Sequence, residues 1–171
     1  MMGRGFTLVL SGAFALFVGA HAGAVSPASV GTDSPLEVRL QRSKVVIAAG
    51  KENLEPAITA KPGDVLEEVV TCANKSAQPL AGVECTLPVP ANTKLVAGSI
   101  KPGTARASVD GAAFESVPLR RKVRNQNGAV TENEVPIGEY RYLRWYPGRL
   151  DARQAVSFSA RFKVNDRQAG K

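Results

Sequence analysis

A strict two-residue period near the C-terminus constrains this chain more than any other feature. Val156, Phe158, Ala160, Phe162 and Val164 alternate without a break against Ser157, Ser159, Arg161 and Lys163. Successive side chains of an extended strand point to opposite faces, so such a run makes a strand with one apolar side. The same period recurs upstream. Leu36, Val38 and Leu40 alternate with Glu37, Arg39 and Gln41, and Val83, Cys85 and Leu87 with Glu84 and Thr86. In residues 65–74, Leu66, Val70 and Cys72 share one side.

Turn chemistry separates these runs. Lys61-Pro62-Gly63-Asp64, Lys101-Pro102-Gly103 and Pro147-Gly148 join proline, which presets φ, to glycine, which tolerates positive φ, and Asp110-Gly111 and Asn127-Gly128 are hairpin dipeptides. With 11 prolines and 16 glycines, no long stretch of helical period survives. Short strands with a turn signal every 8 to 12 residues or so predict an all-β, immunoglobulin-like β-sandwich of about seven to nine antiparallel strands. Its expected core includes Leu66, Val70, Val83, Trp145, Val156, Phe158 and Phe162. Residues 48–60 read as a connection with a short helical turn around Glu52 to Glu55, stopped by Pro56. Residues 118–138 are the least patterned, with a strand to about Val123, a turn at Asn127-Gly128 and a strand or loop after it. Tyr140 to Tyr146 reads as a strand that puts Tyr140, Tyr142 and Arg144 on one face and Leu143 and Trp145 on the other.

The N-terminus carries an export signal. Arg4 precedes an apolar run from Phe6 to Ala20, and two small-x-small sites follow, Ala20-His21-Ala22 and Ala22-Gly23-Ala24. Charged, apolar and small-residue parts in that order make a cleavable signal peptide. An uncleaved anchor is the competing reading, but the run is shorter than the roughly 18–20 residues a spanning helix needs. The expected organisation is a signal peptide over residues 1–24, a flexible lead-in over 25–35, the β-sandwich domain over 36–165 and a polar tail over 166–171. The mature chain, periplasmic or extracellular, contains no membrane span.

Candidate chemistry is sparse. The one histidine, His21, belongs to the leader or its edge. Without it, most hydrolase and metal-site chemistries lose their base or ligand. No Gly-x-Ser-x-Gly, phosphate-cradling loop or metal-ligand spacing is present, so no catalytic residue, metal or other cofactor is expected. Glu67 and Glu68 are adjacent in a strand and so face opposite ways, whereas Glu132 and Glu134 can share a face. Cys72 and Cys85 suit a disulfide, since an even count in an exported chain favours a bridge. Two buried free thiols, or a redox thiol, are the alternatives. Asn74-Lys75-Ser76 has the form of a glycosylation acceptor and also of a turn-capping asparagine. The net charge of +7 admits anionic partners, and Arg120, Arg121, Lys122 and Arg124 form a possible polyanion-binding stretch. The same four residues also read as charges that guard a strand edge against stray pairing.

Several of these pieces occur in a familiar order. They are Lys61-Pro62-Gly63-Asp64, Pro79-Leu80-Ala81-Gly82-Val83, Leu87-Pro88-Val89-Pro90-Ala91-Asn92-Thr93, Val109-Asp110-Gly111-Ala112-Ala113-Phe114, Tyr142-Leu143-Arg144-Trp145 and the final alternating run. Together, over residues 54–164, they resemble the bacterial conserved-repeat domain catalogued as domain-of-unknown-function family number eleven. The resemblance implies an immunoglobulin-like sandwich of exported and cell-surface proteins, often in tandem, without catalytic residues. This chain departs from that pattern in its single copy, in Glu68 where an inward aromatic is usual, and in the basic stretch from Arg120 to Asn133. The expected role is a non-enzymatic structural or protein-interaction module of the bacterial envelope, whose partner is another envelope or surface protein. The alternative is a binding module for anionic or sugar polymers. Nucleic acid is not an expected partner.

Overall fold

In a computed structural model of the chain, described over residues 34–166, strands dominate. The signal peptide and most of the lead-in and polar tail lie outside the described residues. The strands are β1 (Leu36–Ala48), β2 (Lys51–Pro56), β3 (Val65–Asn74), β4 (Leu80–Pro88), β5 (Thr93–Leu95), β6 (Arg106–Ser108), β7 (Glu115–Ser116), β8 (Arg120–Arg124), β9 (Val130–Glu134), β10 (Tyr142–Leu150) and β11 (Ala155–Val164). A 3-10 turn, Ile137–Glu139, precedes β10.

Two antiparallel sheets face each other. One has five strands in the order β2-β1-β3-β11-β5, the other four in the order β4-β10-β6-β7. The hairpin β8-β9 stands apart as a third, two-stranded sheet. The all-β sandwich read from the period-two runs is thus the observed architecture, with nine strands in its two layers.

The alternation works as expected along β3, β4 and β10. Leu66, Val70 and Cys72 point inward from β3, and Val83, Cys85 and Leu87 from β4. Leu143 and Trp145 point inward from β10, and Ala160 and Phe162 from β11. The Trp145 ring stacks on Phe158 at 5.0 Å between centroids, and its indole N–H donates to the Pro102 carbonyl at 2.9 Å. Full burial of an indole is tolerated only with such a partner. Of the expected core, Leu66, Val70, Val83, Trp145 and Phe162 are buried, but Val156 and Phe158 are only partly buried and flank the core.

Three local readings are corrected. Glu52 to Glu55 form no helical turn. Residues Lys51–Pro56 are a strand that pairs with Ser43 to Ala48 of β1, because Ala49 and Gly50 both take positive φ and close a tight hairpin. Pro147-Gly148 does not end its strand but sits within β10 as an irregularity, where the register against β4 shifts. Neighbouring β6 pairs only with Tyr142 to Arg144, so the missing proline N–H interrupts no second ladder. Tyr140 lies outside β10 and turns inward, so the aromatic row of Tyr140 and Tyr142 does not exist.

Candidate functional site

The two cysteines meet between the sheets. Cys72 of β3 and Cys85 of β4 are joined as a disulfide with their Cα atoms 6.3 Å apart, and both are fully buried. The bridge clamps the two layers where β4 begins to cover β3. A sheltered bridge has no thiolate to offer, so its part is structural. Beside it, Asn74 ends β3 as a buried capping asparagine. Its Nδ2 donates to the carbonyls of Gln78, Leu150 and Asp151, and its Oδ1 accepts from the Ser76 N–H and hydroxyl. With the side-chain amide so engaged, the acceptor triplet serves the turn.

The four basic residues occupy β8 of the exposed hairpin. Its register sets Arg120 opposite Glu134 and Lys122 opposite Glu132, so β9 interleaves acids with the bases. Arg120 reaches Glu132 at 3.5 Å, and Arg121, on the other face, donates to Glu139 at 2.6 Å. Lys122 and Arg124 have no acidic partner within salt-bridge distance among the described residues. Glu132 and Glu134, left between strand and loop by the sequence, belong to β9 and share a face with these bases. The hairpin is held at its base, where the Val135 N–H donates to the Leu119 carbonyl and the Leu119 N–H to the buried Tyr140 hydroxyl at 2.8 Å.

A shallow cleft of about 240 Å³ opens between that base and the Asp110-Gly111 turn. On the turn side its polar groups are already engaged. The Asp110 carboxylate accepts from the Ala112 and Ala113 amides and the Ser108 hydroxyl, and those bonds, Ala112 foremost, hold its pKa below the usual carboxylate value. Gly111 has φ of 83° and lies against Tyr142, where a Cβ would come within 2.9 Å of the ring. The turn side of the cleft is thus internally bonded, while Glu115 of its lining has no side-chain hydrogen bond or ion pair among the described residues. No group of three His, Cys, Asp or Glu side chains that could hold a metal occurs among the described residues.

The opposite flank differs. β4 is the edge of the four-stranded sheet and has no strand on its outer side among the described residues. It bridges to β3, so the next strand of the five-stranded sheet, β1, extends beyond the cover of the second layer. Residues directly opposite in an antiparallel pair share a face. Val38 pairs with Cys72, Leu40 with Val70 and Arg42 with Glu68, so all three point to the inner side. Yet Val38 is 53% exposed and Leu40 50%, while their partners on β3 are buried. The inner side of β1 is therefore apolar and uncovered at Val38 and Leu40.

Arg42 sits at the end of this apolar row. Through Nε and Nη2 it donates to Oε1 of Glu68, a carboxylate enclosed in the core, whose Oε2 has no hydrogen-bond partner among the described residues. Burial pushes the Glu68 pKa up, and the Arg42 contact opposes that rise. On the outer face of the same sheet, Arg161 of β11 donates to Glu67 at 2.8 Å and to both oxygens of Glu52, which ties edge strand β2 across the sheet. Those contacts hold the Arg161 pKa above its usual value and that of Glu52 below its own. Sequence reading found neither ion cluster, because their members are up to 109 positions apart.

The chain matches no family model, no curated protein and no solved structure.

Proposed function

We propose that this chain is an exported, non-enzymatic module of the bacterial cell envelope that holds a protein partner by strand addition at the free edge of β4. The observation that carries the reading is the condition of that edge. The other edges are short or guarded: β5 has three residues, β7 two, and β2 carries Lys51, Glu52, Glu55 and Pro56. Natural sheets shield their edges with charge, proline or brevity. β4 runs for nine residues up to Pro88, and over Leu80–Leu87 it has no proline and one charge, Glu84, which is already paired with Arg144. Such an edge offers backbone hydrogen bonds for affinity and neighbouring side chains for specificity.

The buried disulfide fits an oxidising compartment, and no described helix is long and apolar enough to cross a membrane. Both accord with a periplasmic or secreted location. The polyanion alternative finds less support, since Glu132, Glu134 and Glu139 lie among the basic side chains of the hairpin. Envelope retention separates the two. Leu40→Lys charges a site that is already half-exposed and is expected to release the chain from the envelope fraction while leaving its melting temperature within a few degrees. Replacing Arg120, Arg121, Lys122 and Arg124 together by Ser is expected to leave retention unchanged, at low and high salt alike. The converse pattern moves the function to the hairpin. A purified chain that turns over a substrate at a rate lost on point mutation overturns the non-enzymatic reading.

A further inference from the structure

Asp110-Gly111 and Asn127-Gly128 both sit in turns, and in both the glycine has φ of 83°. A side-chain carboxyl or amide just before glycine can close a five-membered imide on the glycine nitrogen, because no Cβ obstructs the approach. The two turns differ in how firmly they hold the reacting atoms apart.

Asp110 is clamped. Its Oδ1 accepts from the Ala112 and Ala113 amides and from the Ser108 hydroxyl. These bonds keep the carboxylate ionised, and an ionised carboxylate is a poor electrophile. The Gly111 N–H, which would supply the nucleophile, donates to the buried Ser108 hydroxyl at 2.9 Å, and Gly111 itself lies against the Tyr142 ring.

Asn127 is open. Residues 125–129 are exposed throughout, as are all the residues of β8 and β9. A Cβ at Gly128 would meet nothing within 4 Å. Asn127 Oδ1 accepts one bond, from the Ala129 N–H at 3.2 Å, and its Nδ2 has no partner among the described residues. The Gly128 N–H donates to the Asn125 carbonyl at 2.9 Å, so the tip must open before it reacts. That opening is cheap, because exposed backbone bonds with few buried contacts behind them break locally. Of the seven asparagines in the chain, Asn127 alone precedes glycine.

We propose that Asn127 is a site of spontaneous deamidation in the folded chain, and that the Asp110 turn is held back from the matching isomerisation. The Gly128 nitrogen attacks Cγ of Asn127 and forms the new C–N bond of a succinimide. The Cγ–Nδ2 bond breaks, and ammonia leaves with the proton that Gly128 gives up. Water then opens the imide, its hydroxyl going to one carbonyl carbon and its proton to the nitrogen. Opening at one carbonyl gives aspartate. Opening at the other gives isoaspartate, with the main chain routed through the side-chain carbon. Either product adds a carboxylate to the turn that Arg124 Nη1 already reaches, at the Gly128 carbonyl. β8 and β9 together carry four bases and two acids, so one event removes half of the hairpin's net positive charge. The hairpin thus becomes less cationic as the chain ages.

The test ages the exported chain at pH 7 to 9, with and without urea, in water enriched in oxygen-18. Its peptides are then weighed and sequenced by electron-transfer fragmentation. In the folded chain, label is expected at Asn127 at least about tenfold faster than at any other asparagine or at Asp110. The rate should climb with hydroxide, because the Gly128 nitrogen attacks after losing its proton. Unfolding in urea should speed Asn127 by less than about tenfold and Asp110 by more than that. Asn127→Gln should nearly abolish labelling at that position without moving the melting temperature, since its six-membered imide closes far more slowly. A larger acceleration of Asn127 in urea means that the turn shields it, and overturns the proposal. Comparable labelling of Asp110 and Asn127 in the folded chain also overturns it, because the two turns then do not differ.

Discussion

The two flanks of the five-stranded sheet carry the same kind of sequence and meet different fates. On the β11 side, Ala160 and Phe162 alternate with polar residues and are fully buried. On the β1 side, Val38 and Leu40 alternate just as cleanly and are half-exposed. The difference does not lie in the strands themselves. β11 is roofed by β10, whose Trp145 stacks on Phe158, whereas the second sheet stops at β4 and leaves β1 without a roof. Period two declares which side of a strand is apolar, but the width of the opposing layer decides whether that side is covered.

The sharpest way to break this comparison is to truncate on the covered side. Trp145→Ala removes a fully buried ring that both stacks and donates a hydrogen bond, and should cost about 3–5 kcal/mol in chemical denaturation. A loss below about 1 kcal/mol would mean that the covered flank is no better packed than the open one. Next in size is the clamp between the layers. The Cys72→Ala, Cys85→Ala double variant opens a closed loop of about 14 residues and should lose roughly 3 kcal/mol. Alkylation of two thiols in the untreated exported chain would show that the clamp does not form there.

The boundary between the flanks is tested at Glu68. Arg42→Gln leaves that buried carboxylate without its cation and should cost about 2 kcal/mol at neutral pH, because the arginine it removes is itself partly solvated. The sign of the pH dependence follows from burial, which raises the folded-state pKa of Glu68 above its unfolded value. The folded chain then binds the proton more tightly, so stability grows as pH falls from the folded pKa to the ordinary carboxylate value, and is flat below it. Losing Arg42 raises the folded pKa further, so the deficit of Arg42→Gln should shrink on acidification through that window. Denaturation midpoints taken from pH 7 to pH 4 check this, and a deficit that grows with acid contradicts it. The smallest effect belongs to the open flank. Leu40→Ser, at a half-exposed position, should change stability by no more than about 0.5 kcal/mol, within the range of ordinary surface substitutions. A cost of several kcal/mol would mean that Leu40 has a cover in the free chain.

Much of the sandwich was legible before any coordinates. The bounds of β3 and β11 and the inward sides of β3, β4 and β10 follow from alternation and turn residues, both local signals. The errors also have local causes. Lys51–Pro56 lacks an apolar stripe of its own, and only pairing with β1 makes it a strand. Pro147 reads as a terminator, since sequence does not reveal that β6 is too short to need its missing N–H. Tyr140 reads as part of a strand face, yet its hydroxyl turns inward to accept from the Leu119 amide 21 positions away.

For the candidate sites the division is similar. Residue types alone determined that the chain has no histidine beyond His21, that Cys72 and Cys85 can bridge, and that residues 120–124 are basic. Tertiary structure decided that acids are interleaved with those bases, that Glu68 is enclosed with Arg42 beside it, and that Val38 and Leu40 stay uncovered. The physical reason is one of range. Backbone preference and side-chain period act over a few residues, so the chain carries them in its order. Ion pairing, burial and the reach of one layer over another arise between segments far apart in sequence, and they exist only once the two sheets have met.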